Sequence, residues 1–120
     1  MADRVAGIIT VKVDGLQHAA KGSFSYNLGK PKKESVMGSD GFHGYKETPQ
    51  PAFIEGEITD KYDLDLAALI DTTDATVLLD LANGKSIILR NAFFAGEGNG
   101  ETEDGKIAVR WEGASAEEMR

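Results

Sequence analysis

Residues 50–95 read QPAFIEGEITDKYDLDLAALIDTTDATVLLDLANGKSIILRNAFFA, and the patterns in this stretch decide the fold. Asn83-Gly84 is typical of a type I′ turn, whose twist matches that of paired strands. Counting outward from this turn predicts a hairpin with Leu79 opposite Ile88. Apolar pairs then lie on both faces of the hairpin, so one face closes the core and the other needs a cover. The short helix that precedes the hairpin, or a neighbouring chain, could supply that cover.

The first half of the stretch predicts a strand and a short helix. Residues 52–59 alternate, with Ile54 and Ile58 inward and the two glutamates between them outward. Asp63 is suited to cap a helix of two or three turns, which is too short to be stable unless it is packed. The predicted core combines apolar residues of these elements and of the last strand: Ile54, Leu66, Ile87, Leu89, Val109 and Trp111.

A second hairpin is predicted near the N-terminus. Asp14-Gly15 forms a two-residue turn that pairs Val13 with Leu16, and the alternation on both sides agrees with this register. Gly22 interrupts the apolar row of the second strand, which indicates a bulge or bend. The last predicted strand covers residues 106–112, and residues 113–120 form a tail without a clear anchor.

Residues 29–50 show no periodicity and are predicted to form a long loop. Loops of about twenty residues are uncommon inside compact domains and are usually functional or disordered. This loop combines a basic cluster with apolar side chains, which burial against a partner would explain. The alternative is an Ω-like loop folded back on its own domain. The candidate contact residues are Lys30, Lys32, Lys33, Val36, Met37, Phe42, His43, Tyr45 and Lys46.

Composition is typical of one soluble domain covering residues 1–120, with 41% hydrophobic and 28% charged residues. The absence of cysteine excludes disulfides and thiolate metal sites. No apolar run approaches membrane-spanning length and no signal-peptide core is present, so we expect no membrane insertion by this chain and synthesis in a reducing compartment.

The net charge of −7 is unevenly divided. Residues 1–50 carry seven Lys/Arg and five Asp/Glu, whereas residues 51–120 carry six and fifteen. This asymmetry can steer copies of the chain head-to-tail, or it can be an accident of solvated loops. A net acidic chain is not suited to gripping nucleic acid, because phosphate binding needs a basic face.

The sequence contains no recognisable catalytic, metal or cofactor site. His18 lies on an apolar strand face, where a core histidine is the better interpretation, and His43 has no acidic neighbour at metal-ligand spacing. Glu55 and Glu57 lie on one strand face, whereas glycosidase carboxylates come from opposing walls of a cleft. GEGNG (96–100) lacks the lysine of a phosphate loop. We therefore expect a protein that is not an enzyme and binds no cofactor.

The order of elements is β-β-long loop-β-α-β-β-β, which predicts a mainly β fold. Six antiparallel strands suggest two packed antiparallel sheets, as a β-sandwich or a partly closed barrel, with one short helix as a lid.

With this order, and with GS-x-x-x-x-GYK-x-x-P at positions 38–49, the chain resembles the tail tube proteins of contractile-tailed, Mu-like phages from about residue 8 to 112. The resemblance implies a structural subunit of hexameric rings that stack head-to-tail into the conduit for DNA ejection. It implies sheath, tape-measure, baseplate and tail-terminator proteins as partners, DNA as a non-specific passenger, and a place in the virion tail after synthesis in the host cytoplasm.

Within that interpretation, the long loop of residues 29–50 is expected to join successive rings. The lumen should offer no basic grip, so its predicted residues are polar or acidic: Ser23, Ser25, Asn27, Glu55 and Glu57. Two alternatives remain open. One is a monomeric β-barrel binding module that uses the loop as a lid. The other is the tube subunit of a related system, namely a bacteriocin-like tail, a gene-transfer particle or a type VI secretion tube.

Overall fold

The computed structural model describes residues 9–120 of the chain. This part contains ten strands and one helix: β1 (Thr10–Val13), β2 (Leu16–Asn27), β3 (Lys32–Gly38), β4 (Gly41–Thr48), β5 (Ala52–Thr59), α1 (Leu66–Ile70), β6 (Thr73–Asp80), β7 (Ser86–Phe94), β8 (Gly100–Glu101), β9 (Lys106–Gly113) and β10 (Ala116–Met119). Over these residues, no helix has the length and apolar character needed to cross a membrane.

Eight strands form one antiparallel sheet in the order β10-β7-β6-β1-β2-β5-β9-β8. An additional pairing joins β7 to β9, with Phe93 opposite Glu112 and Phe94 opposite Trp111. This pairing closes β7-β6-β1-β2-β5-β9 into a six-stranded barrel, with β10 and β8 as outer extensions. The fold is therefore mainly β, as predicted, and it is the closed-barrel form of the predicted architecture.

The β1–β2 hairpin has the predicted register, with Val13 opposite Leu16 and Val11 opposite His18. Asp14 and Gly15 both have positive φ, at 51° and 86°, as a type I′ turn requires. The predicted bulge is present as well, because the β2–β5 register shifts between Lys21 and Ser25, around Gly22.

The register predicted for the β6–β7 hairpin is wrong by one residue. Leu79 lies opposite Ile87, and Leu78 lies opposite Ile88. The Leu81 amide donates to the Lys85 carbonyl at 2.8 Å, so the loop between them has three residues. Gly84 takes the positive φ of 95° that ends such a loop.

The three-residue loop sets the register of β6 and β7, and the register decides which of their apolar side chains face the barrel interior. Leu79, Ile87 and Leu89 point into the barrel and are fully buried, whereas Leu78 and Ile88 lie half-buried on the outside. Of the predicted core, five residues are buried and Leu66 is partly buried against them. The Trp111 ring meets Phe94 edge-on at 6.0 Å between centroids.

Two further predictions are wrong at the level of elements. Helix α1 has five residues, and its N-cap is Asp65 rather than Asp63, since the Asp65 carboxylate accepts from the Ala68 amide at 3.2 Å. The predicted unanchored tail contains β10, which pairs with β7 along its length. That pairing joins residues far apart in sequence, so no local sequence pattern predicts β10.

Candidate assembly surfaces

The predicted long loop is a β-hairpin. Strands β3 and β4 form a two-stranded sheet of their own, apart from the barrel sheet. None of the residues of these two strands, all of which the structure describes, is buried. Both faces of the hairpin are therefore exposed to solvent. Strands of this kind do not need the alternation of apolar and polar residues that marks a half-buried strand.

One face of this hairpin carries an apolar stripe. Met37 lies opposite Phe42, and Ser35 lies opposite Tyr45, so these side chains share a face. A bulge at His43-Gly44 lets Phe42 and Tyr45 share that face although they are three residues apart. Met37, Phe42 and Tyr45 are 66%, 66% and 62% exposed. We call these three residues the apolar stripe.

One lysine contacts the apolar stripe, and two others lie on the opposite face of the hairpin. The Lys33 ammonium lies 5.5 Å from the centre of the Tyr45 ring. On the other face, where Val36 lies, Glu34 is 3.5 Å from Lys32 and 3.9 Å from Lys46. Such exposed ion pairs contribute little to stability, so these lysines remain accessible to a partner. Lys30 precedes the hairpin, and its carbonyl accepts a hydrogen bond from Gln50 Nε2 at 2.8 Å.

His43 contacts one carboxylate in the fold. Its Nε2 lies 2.6 Å from Asp40 Oδ1 across the turn of the hairpin. Only that carboxylate accompanies it, and the described part of the chain contains no group of three or more His, Cys, Asp or Glu placed to hold a metal. The contact is therefore local to the hairpin turn.

The predicted lumen residues lie on the outer face of β2 and β5. Ser25 is opposite Glu55, and Asn27 is opposite Phe53, so Ser25, Asn27 and Glu55 share one face of the sheet. Ser23 is exposed within the bulged part of β2. Glu57 belongs to the same outward row of β5 as Glu55, because the residues between and beside them are those that face the core.

Both glutamates are paired with cations of β9. Arg110 donates to Glu55 and to Glu112, each at 2.7 Å, and its guanidinium stacks 4.2 Å from the Phe53 ring centre. Lys106 Nζ lies 2.9 Å from Glu57. These contacts raise the pKa of the Arg110 guanidinium, chiefly through Glu112, and the pKa of the Lys106 ammonium, chiefly through Glu57. This face is charge-compensated rather than simply acidic.

Arg110 and Lys106 were not among the predicted site residues. The alternation of β9 already assigns them outward, opposite the inward Ile107, Val109 and Trp111. Their partners on β5 depend on the register between β5 and β9. Because these two strands are far apart in sequence, the sequence alone does not give that register.

A cavity of about 300 Å³ lies between α1 and the β1–β2 turn. Its apolar lining includes Val13, Leu16 and Leu69, and acidic groups such as Asp14 and Asp63 also line it. Leu16 is 67% exposed at this site. His18 also lines the cavity; burial, and to a smaller extent nearby Lys61, lowers the pKa of its imidazole.

The two ends of the barrel differ in charge. The cavity end gathers the β1–β2 turn, the end of β5, α1 and the β8–β9 turn, because the Asp60 amide donates to the Gly105 carbonyl at 2.9 Å. The hairpin end gathers the end of β2, the start of β5 and the β3–β4 hairpin. Acidic residues crowd the cavity end: Asp14, Asp60, Asp63, Asp65, Glu101, Glu103 and Asp104. Lysines outnumber acids at the hairpin end, where Lys30, Lys32, Lys33 and Lys46 lie with Glu34, Asp40 and Glu47.

Comparisons with known proteins agree with this architecture. A family model described as phage tail tube protein matches residues 2–118. No curated protein matches the sequence. Among solved structures, the fold is similar to Hcp1 from Flavobacterium johnsoniae, with a TM-score of 0.65, 11% identity and coverage of 93% of this chain and 94% of that one.

Two structures of an extracellular contractile injection system are also similar. A chain of its PVC sheath/tube terminator in the extended state matches with a TM-score of 0.66 and 11% identity, over 94% of both chains. A chain of its PVC sheath-tube complex matches with a TM-score of 0.63 and 12% identity, over 93% of this chain and 88% of that one. At such identities these likenesses describe the fold.

Proposed function

Because the chain belongs to the phage tail tube protein family, we propose that it assembles as hexameric rings that stack head-to-tail into a tube. The family is one of structural subunits, so the proposed role requires no catalytic residues and no cofactor. The assembled tube is then the conduit through which DNA leaves a virion, and the chain is a component of the tail.

The observation that carries this proposal is the exposed β3–β4 hairpin. A two-stranded hairpin on its own is marginally stable in water, and this one exposes Met37, Phe42 and Tyr45 on a single face. Burying apolar surface contributes roughly 25 cal/mol per Å², so contact with the next ring would stabilise the hairpin and the stack together. A monomeric binding module would leave this face in water.

Head-to-tail stacking is a heterologous interface, in which one surface must complement a different one. The acidic cavity end and the lysine-rich hairpin end provide such complementary surfaces on one chain. Opposite charges at the two ends would also orient the approaching subunits before contact.

The lumen is proposed to be lined by the outer face of β2 and β5, with Ser23, Ser25, Asn27, Glu55 and Glu57. The pairs Glu55–Arg110 and Glu57–Lys106 support this assignment, because both cations of β9 on this face are held by carboxylates, while Lys21 of β2 donates to the Asp104 carbonyl. DNA then meets no free row of cations that would hold its phosphates.

The similar solved structures favour a second candidate, the tube of an injection system. These structures are of a sheath-tube complex, a sheath/tube terminator, a tube-terminating cap and a baseplate. We accordingly propose sheath, terminator and baseplate proteins as partners under both candidates, together with a tape-measure protein in a phage tail. Identification of the cargo in native particles, DNA or protein, separates the two.

Negative-stain electron microscopy of the purified chain tests the proposal. Six-fold rings, or tubes built from them, are the expected result, and light scattering should give a mass of six subunits or multiples of six. A chain that remains a monomer at every concentration would instead indicate a binding module.

A further inference from the structure

We propose that the cavity between α1 and the β1–β2 turn is the receptor for the tip of the β3–β4 hairpin of a second copy of this chain. The proposal rests on the proposed function and deepens it, because it names the surface that each hairpin contacts in the next ring. The inserted group is the cross-strand pair Met37 and Phe42, which lies next to the hairpin turn.

The apolar chemistry of the two surfaces matches. Met37 and Phe42 are each 66% exposed and have no apolar cover within the described chain. The cavity exposes Leu16 and is lined further by Val13, Leu64 and Leu69. A volume of about 300 Å³ lies at the lower end of what ligand sites offer, which suits the ends of two side chains. Met is well suited to such a site, because its flexible thioether fills irregular gaps.

The topology places the two surfaces at opposite ends of the same strands. The hairpin leaves the barrel between the end of β2 and the start of β5, whereas the cavity lies at the start of β2 and the end of β5. A strand of twelve residues such as β2 extends about 40 Å. A chain therefore cannot place its own hairpin tip in its own cavity, but a second copy stacked above or below it can.

The charges around the two surfaces are complementary. Asp14, Asp63 and Asp65 line the cavity, with Lys61 as the cation among its lining residues. Lys32, Lys33 and Lys46 lie along the hairpin behind its tip and outnumber Glu34 and Glu47 there, whereas Asp40 lies in the turn beside His43. A hairpin inserted tip first would bring these lysines towards the carboxylates at the mouth. The contact should therefore weaken as salt is raised, since exposed charges are screened.

The absence of cysteine permits a direct test by disulfide cross-linking. Leu16→Cys places a thiol at the cavity mouth, and Met37→Cys places one at the hairpin tip. Both side chains are largely exposed, so neither substitution disturbs the barrel core. Because a disulfide needs Cα atoms within about 7 Å, the double variant can form only bonds between chains.

On oxidation, the double variant should give a ladder of covalent multimers. Each single variant alone should give none, and a mixture of the two single variants should stop at pairs. The matched control combines Met37→Cys with Thr102→Cys, which lies exposed in the β8–β9 turn at the same end but outside the cavity lining. This control should give no ladder.

A ladder of equal strength from the control, or no cross-linked product from the double variant, would overturn the docking proposal. Microscopy of the wild-type chain reports separately on the proposed function. Tubes without cross-links between positions 16 and 37 would leave the tube function standing and refute the receptor. Cross-linked pairs from a chain that forms no tubes would support the receptor and refute the tube.

Discussion

At the scale of single residues, the two faces of β7 differ most clearly at Leu89 and Ile88. Leu89 is fully buried in the barrel, whereas Ile88 lies half-buried outside it. We expect Leu89→Ala to lower the free energy of unfolding by about 2–5 kcal/mol, through lost burial and the cavity left behind. Urea denaturation measures this loss, and Ile88→Ala is the matched control with a smaller loss. A change below about 0.5 kcal/mol for Leu89→Ala, as at ordinary surface sites, would contradict the assignment of the faces.

His18 provides a prediction on pH. Burial lowers the pKa of its imidazole in the folded chain. Above the ordinary imidazole pKa of about 6.5 both states are neutral and stability is complete. As the pH falls through that value, the unfolded chain takes up a proton before the folded chain does, so the free energy of unfolding decreases until the folded pKa is passed.

Denaturation between about pH 7 and pH 5 measures this slope, and the lower bound keeps the carboxylates largely ionised. His18→Gln should flatten it. An identical slope in the wild type and in His18→Gln would show that another group is responsible.

At the scale of elements, the β3–β4 hairpin should be separable from the barrel. Replacing residues 32–48 by Gly-Gly should leave the barrel folded, because no side chain of the hairpin is buried. The variant should form rings that do not stack. Circular dichroism checks the fold and electron microscopy checks the assembly, with Met37→Ser/Phe42→Ser as the milder comparison. Tubes of normal length from the deletion variant would show that the hairpin does not join the rings.

Local turn chemistry determined how far the elements could be predicted. Asp14-Gly15 is the whole loop of its hairpin, so counting outward from it gives the observed register. Asn83-Gly84 lies inside a three-residue loop that also contains Ala82, and the same counting is therefore off by one. A dipeptide alone does not distinguish these two loops, because both end with a glycine at positive φ.

The assembly surfaces were predictable only in part. The apolar residues of the β3–β4 hairpin stand out because a solvated loop has no need of them. The strands themselves could not be predicted, since both faces are exposed and the His43-Gly44 bulge breaks the alternation. The cavity beside α1 and the ion pairs of Glu55 and Glu57 form between distant segments, and no local pattern fixes such contacts.

At the scale of the whole molecule, closure of the barrel separates three surfaces. The cavity end is acidic, the hairpin end carries lysines and the apolar stripe, and the outer face of β2, β5 and β9 carries balanced ion pairs. We propose the first two for contacts between rings, because acids predominate at the cavity end, lysines outnumber acids at the hairpin end, and the two lie at opposite ends. We propose the third for the lumen, because opposed charges on its neighbouring strands neutralise one another.

This arrangement predicts that removing the acids would turn the lumen into a DNA-binding wall. Glu55→Gln with Glu57→Gln leaves Lys106 without its nearest carboxylate and Arg110 with Glu112 alone. Exposed ion pairs of this kind contribute little to stability, so the barrel and the tube should still form. Lys106 keeps only the longer contacts to Glu101 and Asp104, at 3.7 and 3.8 Å, and the charge of the face rises by two. The less compensated cations can then contact phosphates, and short duplex DNA should be retained in purified tubes at low salt. The logarithm of the binding constant should fall more steeply with the logarithm of salt concentration, by about 0.9 for each new phosphate contact.

Glu117→Gln, which frees Arg90 on the wall formed by β7 and β10, is the matched control and should not retain DNA. If the double variant forms tubes that release DNA as the wild type does, or if the control retains it equally, the outer face of β2 and β5 does not line the lumen.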